Sequence, residues 1–409
     1  MLRWIIFVAI YLALGFYVLQ ALKSVTRYPW VYFTYIGISL LVLLNFIYQF
    51  TWGEEAGRVL SRPKSYAFGF LLTMITFKII TIVFLFSEDL FRLVTAAYHK
   101  FFGGAKEFSL PERRRFLSMI AMGIAAIPFG ALLYGMYRGK YNFQVLKYNL
   151  EFDDLPDAFD GFQITQISDV HSGSFDNRKK IEYAIDLVNE QKSDVILFTG
   201  DMVNNKAEEM VPWKDTFSRL EAKDGKFSVL GNHDYGDYVE WDTEELKNEN
   251  LEDLKALQKE IGFDLLLNES RYLHKGGDKI ALVGVENWGR GGFKKAGDLK
   301  KSIESINKDD FKILMSHDPS HWEDVVVNDE DHYHLTLSGH THGMQFGIEI
   351  PGWVKWSPVK WRYKYWAGIY KEMGQYINVN RGFGFLGYPG RVGIWPEITV
   401  ITLKKKSLT

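Results

Sequence analysis

The stretch FQITQISDVH, residues 162–171, is an apolar run closed by an aspartate and a histidine two positions apart. Its first seven residues predict a strand, and the near-continuous apolarity predicts one covered on both faces. Downstream runs end in the same way. Residues 194–199 lead into TGD (199–201), 227–230 into GNHD (231–234), 311–316 into SHD (316–318) and 333–338 into GHTHG (339–343). Each piece supplies Asp, Asn or His, side chains that ligate hard-to-borderline divalent cations. With a period of two, Asp169 and His171 are expected on one face, and His340 and His342 repeat that spacing.

Strands are also predicted at 279–285 and 398–403, and helices at 178–191 and 243–261. Leu246, Leu254, Leu257 and Ile261 fall on one face of the second helix. Strands alternating with helices specify an α/β domain, a two-sheet β-sandwich flanked by helices, with ligands at the carboxyl ends of strands. If one carboxylate is shared, Asp169, His171, Asp201, Asn232, His317, His340 and His342 can form two sites of four ligands each. Two cations about 3.5–4 Å apart clamp a phosphoryl group for in-line displacement.

The order and spacing of the five pieces resemble the calcineurin-like metallophosphoesterase family over residues 145–405. The opening LPDAFDGFQITQISDVHSG (155–173) and the late YINVNRGFG (376–384) and PEITVITL (396–403) are similar to its membrane-associated branch. The resemblance implies that Asp169, His171 and His342 bind one metal, that Asn232, His317 and His340 bind a second, and that Asp201 bridges them. It implies that His233 faces the substrate, stabilising the transition state or protonating the leaving oxygen, and that Asp234 orients that imidazole. Two divalent ions of Mn, Fe or Zn suit such ligands. Two positions depart from the family pattern: Met344 stands where relatives often have glycine, and Asn204 where many have a second acid.

At 409 residues the chain is long enough for two parts. Residues 1–140 form a transmembrane region, with spans expected at 4–22, 30–50, 66–86 and 116–137, and 141–409 the catalytic domain. A short interfacial helix has room at 88–102. Lys23, Arg27, Arg92, Lys100, Lys106, Arg113, Arg114 and Arg115 fall in the loops on one side, against Arg58, Arg62 and Lys64 on the other. The positive-inside rule then puts the catalytic domain outside the cytoplasm. Arg113-Arg114-Arg115-Phe116-Leu117 reads as an internal twin-arginine export signal or as a plain basic anchor, with the same topology either way. Lys78 lies inside the third span, either snorkelling or paired with a neighbouring helix.

The net charge of −2 provides no field for nucleic acid, so no nucleic-acid partner is expected. The absence of cysteine excludes thiolate ligands and a cysteine nucleophile. In 350–370, Trp353, Trp356, Trp361, Tyr363, Tyr365 and Trp366 interleave with Lys355, Lys360, Arg362 and Lys364. Such a segment suits a membrane interface or lipid headgroup, or else packs over a sheet edge. The expected protein is a membrane-anchored dinuclear-metal phosphoesterase. It is expected to hydrolyse phosphodiesters, pyrophosphates or phosphomonoesters, on a lipid-linked or envelope substrate, by metal-activated hydroxide. The alternatives are a cytoplasm-facing protein or nucleotide phosphatase and a non-catalytic metal-binding membrane sensor.

Overall fold

The structure is a computed structural model describing residues 2–52, 61–103, 111–350 and 352–406. Arg58 and Lys106 of the charge comparison lie outside these residues. The chain divides into two compact units, Met1–Tyr137 and Arg138–Thr409.

The first unit is four helices: α1 (Leu2–Val25), α2 (Pro29–Thr51), α3 (Arg62–Phe102) and α4 (Pro111–Tyr137). All four are long and apolar enough to cross a membrane. The third differs from its expected form. At 41 residues α3 is about 60 Å long, twice the hydrocarbon core of a bilayer. Residues 88–102 continue the span as the same helix, because no glycine or proline occurs between Phe70 and Phe102 to break it. Arg62, Lys64, Arg92 and Lys100 therefore sit on a helix instead of in loops. Glu88 faces Arg92, Arg113 and Arg114 at 3.3–3.9 Å, and Arg114 also reaches Asp89 at 2.6 Å. Two arginines of the triple thus tie α4 to α3. Lys78 does not snorkel: it is fully buried, its Nζ donating to Ser39 Oγ at 2.8 Å and lying 3.3 Å from the centre of the Tyr11 ring.

The second unit holds β1 (Gln144–Phe152), β2 (Gln163–Ile167), β3 (Val195–Phe198), β4 (Lys226–Ser228) and β5 (Asp264–Leu265), followed by β6 (Glu269–Lys275), β7 (Asp278–Gly284), β8 (Lys312–Met315) and β9 (Leu335–Ser338). Then come β10 (Ile348–Ile350), β11 (Val354–Trp356), β12 (Gly368–Glu372), β13 (Gln375–Val379) and β14 (Glu397–Lys405). One six-stranded sheet has the order β1-β14-β2-β3-β4-β5, the other β12-β13-β9-β8-β7-β6, and β10-β11 is a separate hairpin.

Alternation explains the layers. In β3, Val195 and Leu197 join a core shared with Leu282, Ile313, Leu337 and Ile401 from both sheets. Ile196 and Phe198 face the other way, against Ile181 and Ile185 of α5 (Arg178–Glu190) and Leu254 of the helix Glu244–Ile261. Strands β7 and β8 do the same in the second sheet, where Val283 and Leu314 pack on Trp322 and Tyr333. Each such fully buried aliphatic side chain is worth roughly 1.5–3 kcal/mol relative to exposure. Asn177 caps α5 by accepting from Lys180 N–H, and Thr243 caps the longer helix by accepting from Leu246 N–H. The result is a two-sheet sandwich with helices outside, and β2-β3-β4 and β8-β9 run parallel, so their carboxyl ends gather at one edge.

Candidate metal centre

All seven expected ligands lie in the loops at that edge. Asp169 and His171 follow β2, Asp201 follows β3, Asn232 follows β4, His317 follows β8, and His340 and His342 follow β9. The structure corrects the expected reason for their convergence. None lies in a strand, so alternation does not aim them. Instead Asp169, His171, Asp201, His340 and His342 all have positive φ, between 48° and 69°. Non-glycine residues avoid this left-handed region, at a cost of order 1–3 kcal/mol each, and such strain clusters at functional sites.

The loops interlock. Asp169 N–H donates to Gly200 O at 2.9 Å, and His340 N–H donates to Asp169 Oδ1 at 2.9 Å. A Cβ on Gly231 would stand 2.2 Å from Asp201 Oδ1, and one on Gly339 2.2 Å from Asp169 Oδ2, so only glycine lets these loops touch.

Two clusters result: Asp169, His171 and His342, and Asp201, His317 and His340. In the first, the Nε2 atoms of His171 and His342 are 3.0 Å apart, with Asp169 Oδ1 3.2 Å from the latter. In the second, Asp201 Oδ2 is 3.2 Å from His317 Nε2, and the same oxygen is 3.6 Å from His171 Nε2 of the first cluster. Asn232 Oδ1 is 2.7 Å from His340 Nδ1, so all seven side chains belong to one continuous group.

The donor set fits divalent cations. Thr199 O can only accept, so the 2.7 Å contact with His317 Nδ1 requires a proton on Nδ1 and makes Nε2 the atom open to a cation. That Nε2 is buried without a hydrogen-bond partner of acceptable angle, despite the nearness of Asp201. Burial pushes His317 down, but Asp201 and Asp169 outweigh it and raise it to about 10. Positive charge is therefore favoured at this atom. Burial also holds His171 down to about 3 and His340 to about 4, keeping these imidazoles neutral and able to donate lone pairs.

The contact expected between His233 and Asp234 is not formed. His233 is partly exposed, beside the rings of His171 and Tyr238 at 4.9 and 4.4 Å. Its Nδ1 contacts Asn204 O at 2.7 Å, which fixes a proton on Nδ1. Asp234 does not orient this ring. Its buried carboxylate accepts from Asp201 N–H and Gly231 N–H on Oδ2 at 2.9 and 2.8 Å, and from Met202 N–H on Oδ1 at 2.8 Å. It clamps the Asp201 loop to the Asn232 loop. In the GNHD turn, where residues 233–235 form a single 3-10 turn, neighbouring side chains diverge, and the sequence carries no signal of that.

Sequence reasoning missed several contributors. Tyr363 hydroxyl is 2.8 Å from His340 Nε2, and Tyr238 hydroxyl accepts from Asn232 Nδ2 at 2.8 Å. Asp318 Oδ2 is 3.6 Å from His340 Nε2. Phe293 meets the His340 ring edge-on at 4.8 Å, and the Arg362 guanidinium lies 5.0 Å from the centre of the Phe293 ring. Of these, Asp318 is the third letter of SHD, while Tyr363 and Arg362 belong to the aromatic and basic segment, whose composition points to an interface and not to this centre. The aromatic segment divides: Tyr363, Tyr365 and Trp366 are buried, whereas Trp353 and Trp361 are exposed.

Residues 162–344 match the family described as calcineurin-like phosphoesterase, and residues 2–140 match the probable calcineurin-like phosphoesterase, transmembrane domain. A Bacillus subtilis (strain 168) protein named uncharacterized metallophosphoesterase YkuE is 30% identical over 306 residues, covering 72% of this chain and 98% of that protein. An Aquifex aeolicus (strain VF5) metallophosphoesterase is 28% identical over 284 residues, 68% of this chain and 99% of its own length. The Danio rerio transmembrane protein with metallophosphoesterase domain is 24% identical over 301 residues, and the match spans 72% of this chain but only 63% of that relative.

Proposed function

The chain belongs to the calcineurin-like metallophosphoesterase family, as a metal-dependent phosphoesterase with an N-terminal transmembrane region, and on that premise we propose that it is a dinuclear hydrolase acting at a membrane surface. The observation that carries the dinuclear reading is the position of Asp201 Oδ2, which faces His171 of one cluster and His317 of the other. In this reading Asp169, His171 and His342 hold one divalent cation, Asn232, His317 and His340 the other, and Asp201 both. When bound, such a pair supplies ligation of phosphate oxygens and a nucleophile at neutral pH.

The chain's own residues do the remaining work. Thr199 O and Tyr363 hydroxyl orient His317 and His340. His233, held through Nδ1 by Asn204, presents Nε2 to the leaving oxygen and transfers a proton there. Arg362, at the mouth beside Phe293, offers a cation to a second anionic group of the substrate, which favours diesters and pyrophosphates over simple monoesters. We place the domain outside the cytoplasm, and favour a lipid-linked or envelope substrate because the domain is anchored to a bilayer.

The test is purified full-length protein assayed against bis(4-nitrophenyl) phosphate, 4-nitrophenyl phosphate and a lipid-linked pyrophosphate, with metal analysis. His233→Ala should retain metal and lose about 10²–10⁴-fold in turnover. Retention of both metal and full activity would overturn the assignment. Protease accessibility in intact cells decides the side of the membrane.

A further inference from the structure

We propose that the β10–β11 hairpin and the adjoining Trp361 form a second contact with the bilayer, lying in its headgroup layer beside the mouth of the metal centre. The hairpin has two unlike faces. Ile348 pairs across it with Trp356, and Ile350 with Val354, so these four share one side. Ile348 and Ile350 are exposed, and Trp353 and Trp361 are 79% and 75% exposed. Trp361 meets Trp356 edge-on at 6.0 Å, which joins it to the same surface.

The opposite side is bonded into the domain. Glu349 receives Arg381 through two hydrogen bonds of 3.0 and 2.5 Å, and Lys355 donates to Ala367 O. On the apolar side Ile348 and Ile350 stand exposed and Val354 and Trp356 half-buried, while Glu349 and Lys355 bond the hairpin to the domain.

The chemistry of the apolar side selects its occupant. Tryptophans and isoleucines bordered by cations are the composition of a peripheral membrane contact. Lys360, next to Trp361, is exposed and has no carboxylate partner among the ion pairs of the described residues, which suits anionic headgroups. Every copy of the chain also carries four helices long and apolar enough to span a membrane, so a bilayer is always tethered to it. The segment that follows the hairpin, residues 357–366, is bonded to the loop of the metal centre. Ser357 Oγ donates to Gly343 O at 2.7 Å, Thr341 Oγ1 donates to Trp366 O at 2.7 Å, and Tyr363 reaches His340. This contact stands whichever phosphate ester is hydrolysed.

The chain has no cysteine, so single introduced cysteines are unique reporters in the full-length protein. Trp353→Cys, Trp361→Cys and, as a solvent reference, Met373→Cys (72% exposed) are spin-labelled and reconstituted in nanodiscs of phosphatidylglycerol and phosphatidylcholine. Collision with a water-soluble nickel chelate should fall about tenfold at 353 and 361 relative to 373, while collision with oxygen rises. Protection should weaken in phosphatidylcholine alone. Equal chelate access at all three positions would overturn the proposal. Protection that disappears in discs holding one chain would assign the face to a second copy and overturn it as well. Two independent label positions guard against a local disturbance at either one.

Discussion

Asp234→Asn separates two accounts of the metal centre. The carboxylate accepts three backbone N–H groups within 2.9 Å, two on Oδ2 and one on Oδ1. Burial, with the charge of Asp201, raises this carboxyl to about 7, so each bond is better valued near the neutral figure of about 1 kcal/mol than at charge-assisted strength. An asparagine keeps one acceptor oxygen and turns an NH₂ toward the remaining donors. With the oxygen kept on the Met202 side, the two bonds from Asp201 and Gly231 are lost and their N–H groups are left buried and unsatisfied. Adding about 1 kcal/mol of desolvation for at least one of them gives a loss of about 3 kcal/mol. For a domain of this size that lowers Tm by roughly 6–12 °C. The loops released carry Asp201 and Asn232, so metal content should fall together with stability. The assay is thermal unfolding of the purified full-length protein alongside metal analysis and hydrolysis of bis(4-nitrophenyl) phosphate. Wild-type Tm and metal content with lost turnover would refute the clamp and restore Asp234 as the partner of His233.

Chelation of bound metal should abolish hydrolysis and lower Tm, by about 2.7 kcal/mol of stability for an ion previously present at 100 times its dissociation constant; restoration by added Mn or Zn, read by the same melt, is the check. Tyr363→Phe removes the hydroxyl at His340 Nε2 and should weaken metal affinity about 10–100-fold, measured by competition with a chelator. Arg362→Ala should raise KM for a pyrophosphate more than for 4-nitrophenyl phosphate, with kcat nearly unchanged, as steady-state kinetics on both would show. Leu282→Ala, in the core between the sheets, should cost about 2–5 kcal/mol in denaturant unfolding without altering metal stoichiometry.

The fold was legible wherever the period of the apolar pattern was decisive. The runs 195–198 and 313–315 are apolar at every position because both of their faces are covered, one by the other sheet and one by helices. Strands β1, β6, β12 and β13 were not anticipated. β1, for example, reads QVLKYNLEF, with several exposed positions that make it resemble loop until β14 is laid beside it in parallel register. The extension of α3 through Phe102 was legible in principle from the absence of helix breakers, but the charges at 88–92 look like a span boundary until Arg113 and Arg114 neutralise them.

Residue types alone set which side chains are available to the metal centre and in which order they occur, because ligand chemistry depends on residue type and each motif is only a few residues long. How they are aimed comes from the packing of the loops. The left-handed backbone at five of the seven expected ligands, the carbonyls of Thr199 and Asn204 that set imidazole tautomers, and the clamp at Asp234 are all products of loops packed against one another. Exposure likewise divided a uniform aromatic segment, burying Tyr363 against His340 and leaving Trp353 and Trp361 outside. Composition is local in the chain, whereas burial and direction depend on neighbours from 23 to 118 residues away.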